Sequence, residues 1–463
     1  MTTLICLASL AFLMFVAYRG FSVILFAPIA ALLAVLLTDP ANILPVYSGL
    51  FMHKMVIFVE NYFPIFLLGA VFGKVIEVSG FAQSIVASVV QIVGRKKAIL
   101  SICIVGALLT YGGVSLFVVV FALYPFAAAM FKACDIPKRL IPSVIILGGA
   151  TFTMDCLPGT PAIQNIIPTT FFHTTAYAAP VLGLIGAVLV FGGGMLYLEW
   201  RCARLQAAGE GYGTGHINEP EQVPAAGMIN PWLAISPLFV VGILNLIFTK
   251  LLPTWYPATV EIHMNSLTPP FSVAIAGVLG VWSVEVALAI AILYVCAIAF
   301  ATLKDKFTDS CRAAIGGALL ATMNTASEYG YGSVIAALPG FLVIRDTLTA
   351  IPNPLLNEAI TINVLAGVTG SASGGLGIAL AAMADQFVAS ANANGIPLEV
   401  LHRVASMASG GMDSLPHNGA VITFLAICGL THKQSYPDIF GLVCVKTAVA
   451  FLIVGIYYAT GLV

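Results

Sequence analysis

Apolar runs of about 20 residues, long enough to cross a bilayer as helices, follow one another along this chain with few polar interruptions. Two kinds of run break that rhythm. Residues 98–131 are mostly apolar but number 34, too many for one crossing and too few for two plus a turn. Two helical arms of ~15 residues would each reach ~22 Å, past the midplane of a hydrocarbon core ~30 Å thick. The pattern predicts a re-entrant hairpin with "YGGVS" at its tip, and residues 356–391, with "TGSASGG" at the tip, predict a second. The segments that follow, 139–170 and 398–430, are again over-long. Each is interrupted by an acidic, proline-containing phrase, "TMDCLPGTPAI" (153–163) and "GMDSLPHNGAV" (411–421). Both are expected to be broken helices, because exposed backbone at membrane depth is tolerated only where protein or a water-filled cavity surrounds it.

Polar positions divide the chain. Residues 199–229 are rich in Gly, Pro and charge and read as a cytoplasmic linker between a first repeat, 1–198, and a second, 230–463. The two parts parallel each other: "GKVIEVSGFAQSIV" (73–86) with "NTASEYGYGSVIAA" (324–337), "TYGGVSL" (110–116) with "VTGSASG" (368–374), "DIPKR" (135–139) with "GIPLE" (395–399), and then the two Asp phrases. With the amino terminus outside and three spans before the first hairpin, residues 94–97, Lys138, Arg139, Arg201, Arg204, 304–306 and Lys433 fall inside. Lys54, Lys250, Arg345 and Arg403 fall outside, a clear minority, as the positive-inside rule requires. The hairpins then enter from opposite sides. Such an inverted repeat is the architecture of secondary transporters with a site at the repeat interface. Residues 271–283 read either as a short extra segment or as an extension of the next helix. The first run, Thr3 to Ala17, has no basic lead or A-x-A site and reads as an uncleaved helix.

Composition sharpens the class. Of 463 residues, 60% are hydrophobic and 8% charged, against roughly 25% charged in a soluble domain, so most of the surface faces membrane lipid. The expected fold is an all-α polytopic membrane protein of about 10–12 transmembrane helices. A net charge of −1 leaves no basic face for nucleic acid. Nine scattered cysteines without CxxC or His spacing indicate buried apolar residues and no metal site. Neither Asp phrase has a GxGD setting and no GxSG occurs, which speaks against an intramembrane hydrolase.

An ionised carboxylate at the bilayer centre costs about 2.5–3.5 kcal/mol on insertion scales, so the acids at membrane depth are candidates for function. Asp155, Glu328, Asp413 and Glu77 are the candidates for proton or cation coupling; Glu285, with no repeat partner, reads as interfacial. Asp155 and Asp413 each precede a Pro at +3, where capping of the second half-helix is an equally good reading. Glu328 is preferred over Glu77, which stands near a helix end. Candidate substrate contacts are Gly112, Gly113 and Ser115 at the first tip; Gly159 and Thr160 in the first break; Asn324 and Thr325 beside Glu328; Gly370, Ser371 and Ser373 at the second tip; and His417 and Asn418 in the second break. Half-helix amino termini with free N–H groups bind carboxylates. No arginine is evident at either tip or break, which favours a small, singly charged anion.

At these residues the chain resembles the gluconate:proton symporter (GntP) family, within the wider ion transporter superfamily. The resemblance is carried by "LLGAVFGKVIEVSG" (67–80), "GGVSLFVVVFALYPFA" (112–127), "VTGSASGGLGIALAAM" (368–383) and "ASGGMDSLPHNGAVI" (408–422), in order across nearly the full length. "LPGTPAIQ" (157–164) looks like the family's Pro-Gly-Pro-rich break and "LPHNGA" (415–420) like its His/Asn-containing counterpart. The resemblance implies a secondary transporter and not an enzyme, proton symport with sodium as the alternative ion, no cofactor, and elevator-like movement on a dimerising scaffold. The expected setting is a bacterial inner membrane. "YGGVS" is glycine-richer and less acidic than the tip of gluconate carriers, which extends the expected substrates to smaller hydroxy acids such as 3-hydroxybutyrate, glycerate or lactate.

Overall fold

Prolines open many of the helices and glycines close several. Pro180, Pro231 and Pro354 stand in the first turn of theirs, where a fixed φ and a missing N–H do no harm. Gly370, Gly429 and Gly461 end three helices, the first of them the one Pro354 opens, at φ of +64°, +65° and +69°, a left-handed conformation that only glycine adopts freely. The structure is a computed structural model that describes residues 2–19, 21–93, 97–114, 116–216, 219, 229–263, 271–341, 343, 351–416 and 418–463.

The first half contains α1 (Thr2–Tyr18), α2 (Val23–Thr38), α3 (Met52–Val78), α4 (Phe81–Val93), α5 (Ala98–Tyr111), α6 (Leu116–Ala133), α7 (Ile141–Gly149), the short α8 (Phe152–Asp155), α9 (Ile163–Phe172) and α10 (Pro180–Ala207). The second contains α11 (Pro231–Trp255), α12 (Ile275–Ile298), α13 (Phe307–Ala337), α14 (Pro354–Thr369), α15 (Ala372–Ala393), α16 (Leu398–Ser409), α17 (Gly419–Cys428) and α18 (His432–Thr460). The same order occurs twice: a helical hairpin (α5–α6, α14–α15), a broken helix (α7–α9, α16–α17) and a long closing helix (α10, α18). Among the described residues six helices are long and apolar enough to span a membrane, Pro40–Val78 and α10, α11, α12, α15 and α18. The hairpin arms α5 and α14 and the half-helices α7, α9, α16 and α17 are each shorter than a crossing, so each hairpin and each broken helix has to act as a unit. The chain is thus a polytopic helical membrane protein.

Two details differ from the sequence reading. Residues 199–207 continue α10 rather than starting the linker, because Leu198, Cys202 and Leu205 keep a buried face at helical spacing. Residues 271–283 split into a strand and a helix start: β1 (Thr259–Ile262) pairs antiparallel with β2 (Phe271–Ala274), Thr259 opposite Ala274 and Ile262 opposite Phe271. This small hairpin, between α11 and α12, is the one departure from an all-α chain among the described residues; the alternating burial of β1 is its signature. Arg95, Lys96 and Arg345 lie outside the described residues, as do 217–218 and 220–228 of the linker.

Packing interlocks the halves. Within each half the first hairpin arm packs on the first half-helix, α5 on α7 and α14 on α16. The second half-helices cross over: α9 packs on α15 and α16, and α17 on α6 and α7. α3 and α13 run along each other beside this centre, and α1 and α2 form a separate apolar cluster with the end of α13.

At the predicted cytoplasmic end the charges are paired. The Asp438 carboxylate accepts from Arg139 Nε (2.8 Å) and Arg201 Nε (2.5 Å). Lys138 Nζ donates to Glu219 Oε1 at 2.8 Å, the Tyr212 hydroxyl donates to the same oxygen at 2.9 Å, and Tyr212 N donates to Asp135 Oδ1. The start of the linker is therefore docked on the helix ends.

Candidate functional site

Both hairpin tips turn on a left-handed glycine. Gly113 has φ +89°; at the second tip Gly370 ends α14, and Ser371 caps α15 by accepting from Gly374 N at 3.0 Å. In the second break Asn418 Oδ1 accepts from Val421 N at 2.8 Å and so caps α17, while its Nδ2 donates to Gly370 O (2.8 Å) and Asp413 O (2.9 Å). One side chain thus ties the tip, the break and the second half-helix together. In the first break Asn165 Nδ2 donates to Thr160 O and Ala176 O, both at 2.9 Å. In each break, then, an asparagine donates to the carbonyl five residues before it.

Asp155 and Asp413 do not cap the second half-helices: Ala162 precedes α9 without a side-chain cap, and Asn418 caps α17. Their carboxylates instead converge on Lys446 of α18. Lys446 Nζ stands 3.1 Å from Asp413 Oδ1, 3.9 Å from Asp155 Oδ2 and 3.3 Å from Ala150 O. All three side chains are buried. Arg403 is not an extracellular loop charge, and an arginine does serve a break. It lies fully buried on α16 and forks onto Ala178 O through Nε (3.1 Å) and Nη2 (2.7 Å). Its Nη1 donates to Asn165 Oδ1 (3.1 Å) and Asp155 O (3.3 Å). His402 beside it is held by Thr174 Oγ1 at 2.6 Å and Asn165 Oδ1 at 3.2 Å.

Several of the backbone carbonyls freed by the breaks have side-chain donors. Asp155 O also accepts from Ser406 Oγ, Pro158 O from the Tyr111 hydroxyl, Gly159 O from Asn245 Nδ2, Ala408 O from Asn363 Nδ2, Ser414 O from the Tyr436 hydroxyl, and Pro416 O takes His432 Nε2. This is the condition for irregular backbone inside a membrane protein.

Two cavities flank the breaks. The first, about 560 Å³, is lined by Asn324, Thr325, Glu328, Gly370, Ser371, Ser373, Asp413 and Asn418, the predicted residues of the second half, and also by Gln164, Thr369 and Ser414, which sequence reasoning missed. No lysine or arginine is among its described lining residues. Glu328 is 5% exposed and has no hydrogen-bond partner among the described residues. Its carboxylate lies against Gly374 in the first turn of α15, where a Cβ would coincide with Oε2. The second cavity, about 660 Å³, lies at the first tip and takes Gly113, Lys74 and Glu77; Phe66, Leu116, Met154 and Ala321 line both.

The remaining candidates are not brought to the first cavity. Glu77 is partly exposed and bonded to Lys74 Nζ at 2.9 Å, one turn away on the same helix. Asp155 stands behind Asp413, across Lys446. The Gly112 backbone is packed against Leu238, and a Cβ on Gly159 would meet the Tyr177 ring at 2.5 Å. Thr160 is fully buried. Ser115 and His417 lie outside the described residues. No group of three or more metal-ligating side chains occurs among the described residues.

Known proteins agree with this architecture. The GntP family permease model matches residues 61–328. A protein of Bacillus subtilis (strain 168) described as the uncharacterized transporter YxjC is 54% identical over 472 residues, covering 100% of both chains. Among solved structures, the Alcanivorax borkumensis YdaH transporter, described as having an unusual topology, aligns with a TM-score of 0.50 over 88% of each chain at 15% identity, a likeness of fold alone. With more than half its length matched by the family model and a relative similar from end to end, the chain belongs to the GntP family of permeases, membrane transporters rather than enzymes.

Proposed function

We propose that this transporter carries a small organic monocarboxylate, a hydroxy acid such as gluconate, glycerate or 3-hydroxybutyrate, together with a proton, and that the substrate sits in the cavity at the second tip. The observation that carries the reading is the placement of Glu328: a buried acid lining a cavity with no lysine or arginine among its described lining residues, beside the amino terminus of α15. The volume of about 560 Å³ lies within the usual range for small-ligand sites. Ser371, Ser373 and the first-turn N–H groups of α15 suit the substrate carboxylate, and Gln164, Asn324, Thr325 and Thr369 suit its hydroxyls.

Coupling follows from charge. Asp413 is matched by Lys446, so Glu328 is the acid left to meet an incoming carboxylate. Two anions about 6 Å apart repel by about 3 kcal/mol at an effective dielectric near 20, a factor of roughly 100 in affinity. A proton on Glu328 removes that repulsion, so proton and substrate each promote the other's binding, as reciprocal linkage requires. Several of the break carbonyls that could ligate sodium already accept from side chains, which favours the proton over sodium. The loaded state then alternates access, by elevator-like movement of the hairpins and breaks against α3 and α13, in an inverted-repeat homodimer of a bacterial inner membrane.

The test is uptake into proteoliposomes. Hydroxy acids found by thermal-shift screening of a C3–C6 panel, in which a bound ligand raises apparent stability by mass action, should accumulate under an inward proton gradient. Accumulation that needs a sodium gradient and ignores the proton gradient contradicts the proposal.

A further inference from the structure

The two breaks are joined by a side chain that belongs to neither. From the ammonium of Lys446 the surroundings are an oxygen cage: Asp413 Oδ1, Asp155 Oδ2 and the carbonyl of Ala150, at 3.1, 3.9 and 3.3 Å. Main-chain carbonyls at the unwound ends of broken helices are donors with which discontinuous-helix transporters hold a coupling cation, and here two carboxylates join one such carbonyl. The backbone is shaped around this cage. A Cβ on Gly410, at the end of α16, would coincide with Asp155 Oδ2 and come within 3.3 Å of Lys446 Cε. The charges of the four buried groups also balance: Asp155 and Asp413 against Lys446 and Arg403, the latter bonded to Asp155 O.

We propose that the Lys446 ammonium is a tethered cation occupying a monovalent-cation site built by both breaks, and that its presence makes the carrier indifferent to sodium. An ammonium fixed to α18 cannot leave with the substrate, so it supplies the site's charge in every step of the cycle without being transported. Lys446 is thereby a specificity-determining residue for the coupling ion. Removing it uncovers two carboxylates and a carbonyl around a space the size of the lost side chain, and sodium fills that space. The inference rests on the reading of the breaks as the transport centre, but it concerns ion binding and not uptake.

The test uses the purified full-length protein in detergent. Its unfolding midpoint is followed against NaCl and against choline chloride at matched ionic strength. The wild type should give the same curve in both salts. Lys446→Ala should give a midpoint that rises saturably with sodium and not with choline, and the double variant Lys446→Ala/Asp413→Asn should lose that difference. Lys446→Ser carries the same expectation should the alanine variant not fold. Recovery of either variant only when it is prepared in NaCl also supports the proposal. A sodium-specific rise in the wild type, superimposable curves for the lysine variants, or failure of both to fold in either salt overturns it. A wild type whose uptake ignores the proton gradient would sink the symport reading and leave this titration untouched.

Discussion

Asn418 is the side chain whose loss should be felt in three places at once. Truncation to Ala removes the N-cap of α17, which is worth about 1 kcal/mol. It also strips the donors from Gly370 O and Asp413 O, and a buried acceptor left without a partner costs about 1–3 kcal/mol. Cavity water can reach part of this site, so the lower figure applies to each carbonyl and the total is about 3 kcal/mol. Asn418→Asp separates the contributions. The aspartate keeps an oxygen on Val421 N and is at least as good a cap, but it turns an acceptor toward Gly370 O and Asp413 O. Stability is read by reversible denaturant titration in mixed micelles, alongside ligand-induced thermal shifts. The Ala variant should lose about 3 kcal/mol and the Asp variant, which keeps the cap, about 2 kcal/mol or more, and both should bind substrate weakly because the tip is no longer tied to the break. If Asp matches the wild type and Ala loses only about 1 kcal/mol, Asn418 is a cap and nothing more, and the tip–break tie is wrong.

Arg403→Met leaves Ala178 O without its forked donor and takes one of two partners from Asp155 O and from Asn165 Oδ1, and should destabilise by about 3–5 kcal/mol in the same titration, with Arg403→Lys between it and the wild type; a loss under about 1 kcal/mol for Met would mean that the first break does not depend on the fork. Gly374→Ala gains helix propensity of about 0.8–1 kcal/mol but puts a methyl where the Glu328 carboxylate lies, so gradient-driven uptake should fall while the fold persists; wild-type coupling in this variant would contradict the placement of Glu328. Partial burial pushes the Glu219 carboxyl up, but the donors Lys138 and Tyr212, with the Lys138 charge, hold it below its ordinary value of 4.5. Its contribution to linker docking is therefore complete above that ordinary value and is lost as pH falls through the lower folded-state value. Limited proteolysis of residues 208–219 should accelerate only in acid for the wild type and already at neutral pH for Glu219→Gln; rates that ignore both changes refute the docking role.

The hairpins were legible because their apolar runs have a length that fits no single crossing, and the breaks because Pro and Gly interrupt runs that hydropathy alone would continue. Glu328 stood out as an acid among hydroxyls and amides. The charges that organise the site did not. Lys446 lies inside a 29-residue helix whose average hydropathy is high, so one lysine disappears in the window. Charge counting places Arg403 on the outer side, although His402, Arg403, Ser406 and Ser409 are all buried on one helix, and polar residues at such spacing in a membrane segment point inward. That periodicity was the available signal. The same blindness concealed Glu358 on α14, fully buried with both carboxylate oxygens unpartnered among the described residues. Asp155 and Asp413 were recognised as a pair, but sequence could not say that a third element held them, because α18 meets them only through the fold.

The reading stands or falls with the proton on Glu328. In proteoliposomes, Glu328→Gln should retain substrate exchange between the two sides, because the neutral amide mimics the protonated acid and leaves the cavity intact. It should lose accumulation driven by an inward proton gradient, and its exchange rate should no longer follow pH. Gradient-driven accumulation by Glu328→Gln at the wild-type level would contradict the assignment and move the coupling proton elsewhere.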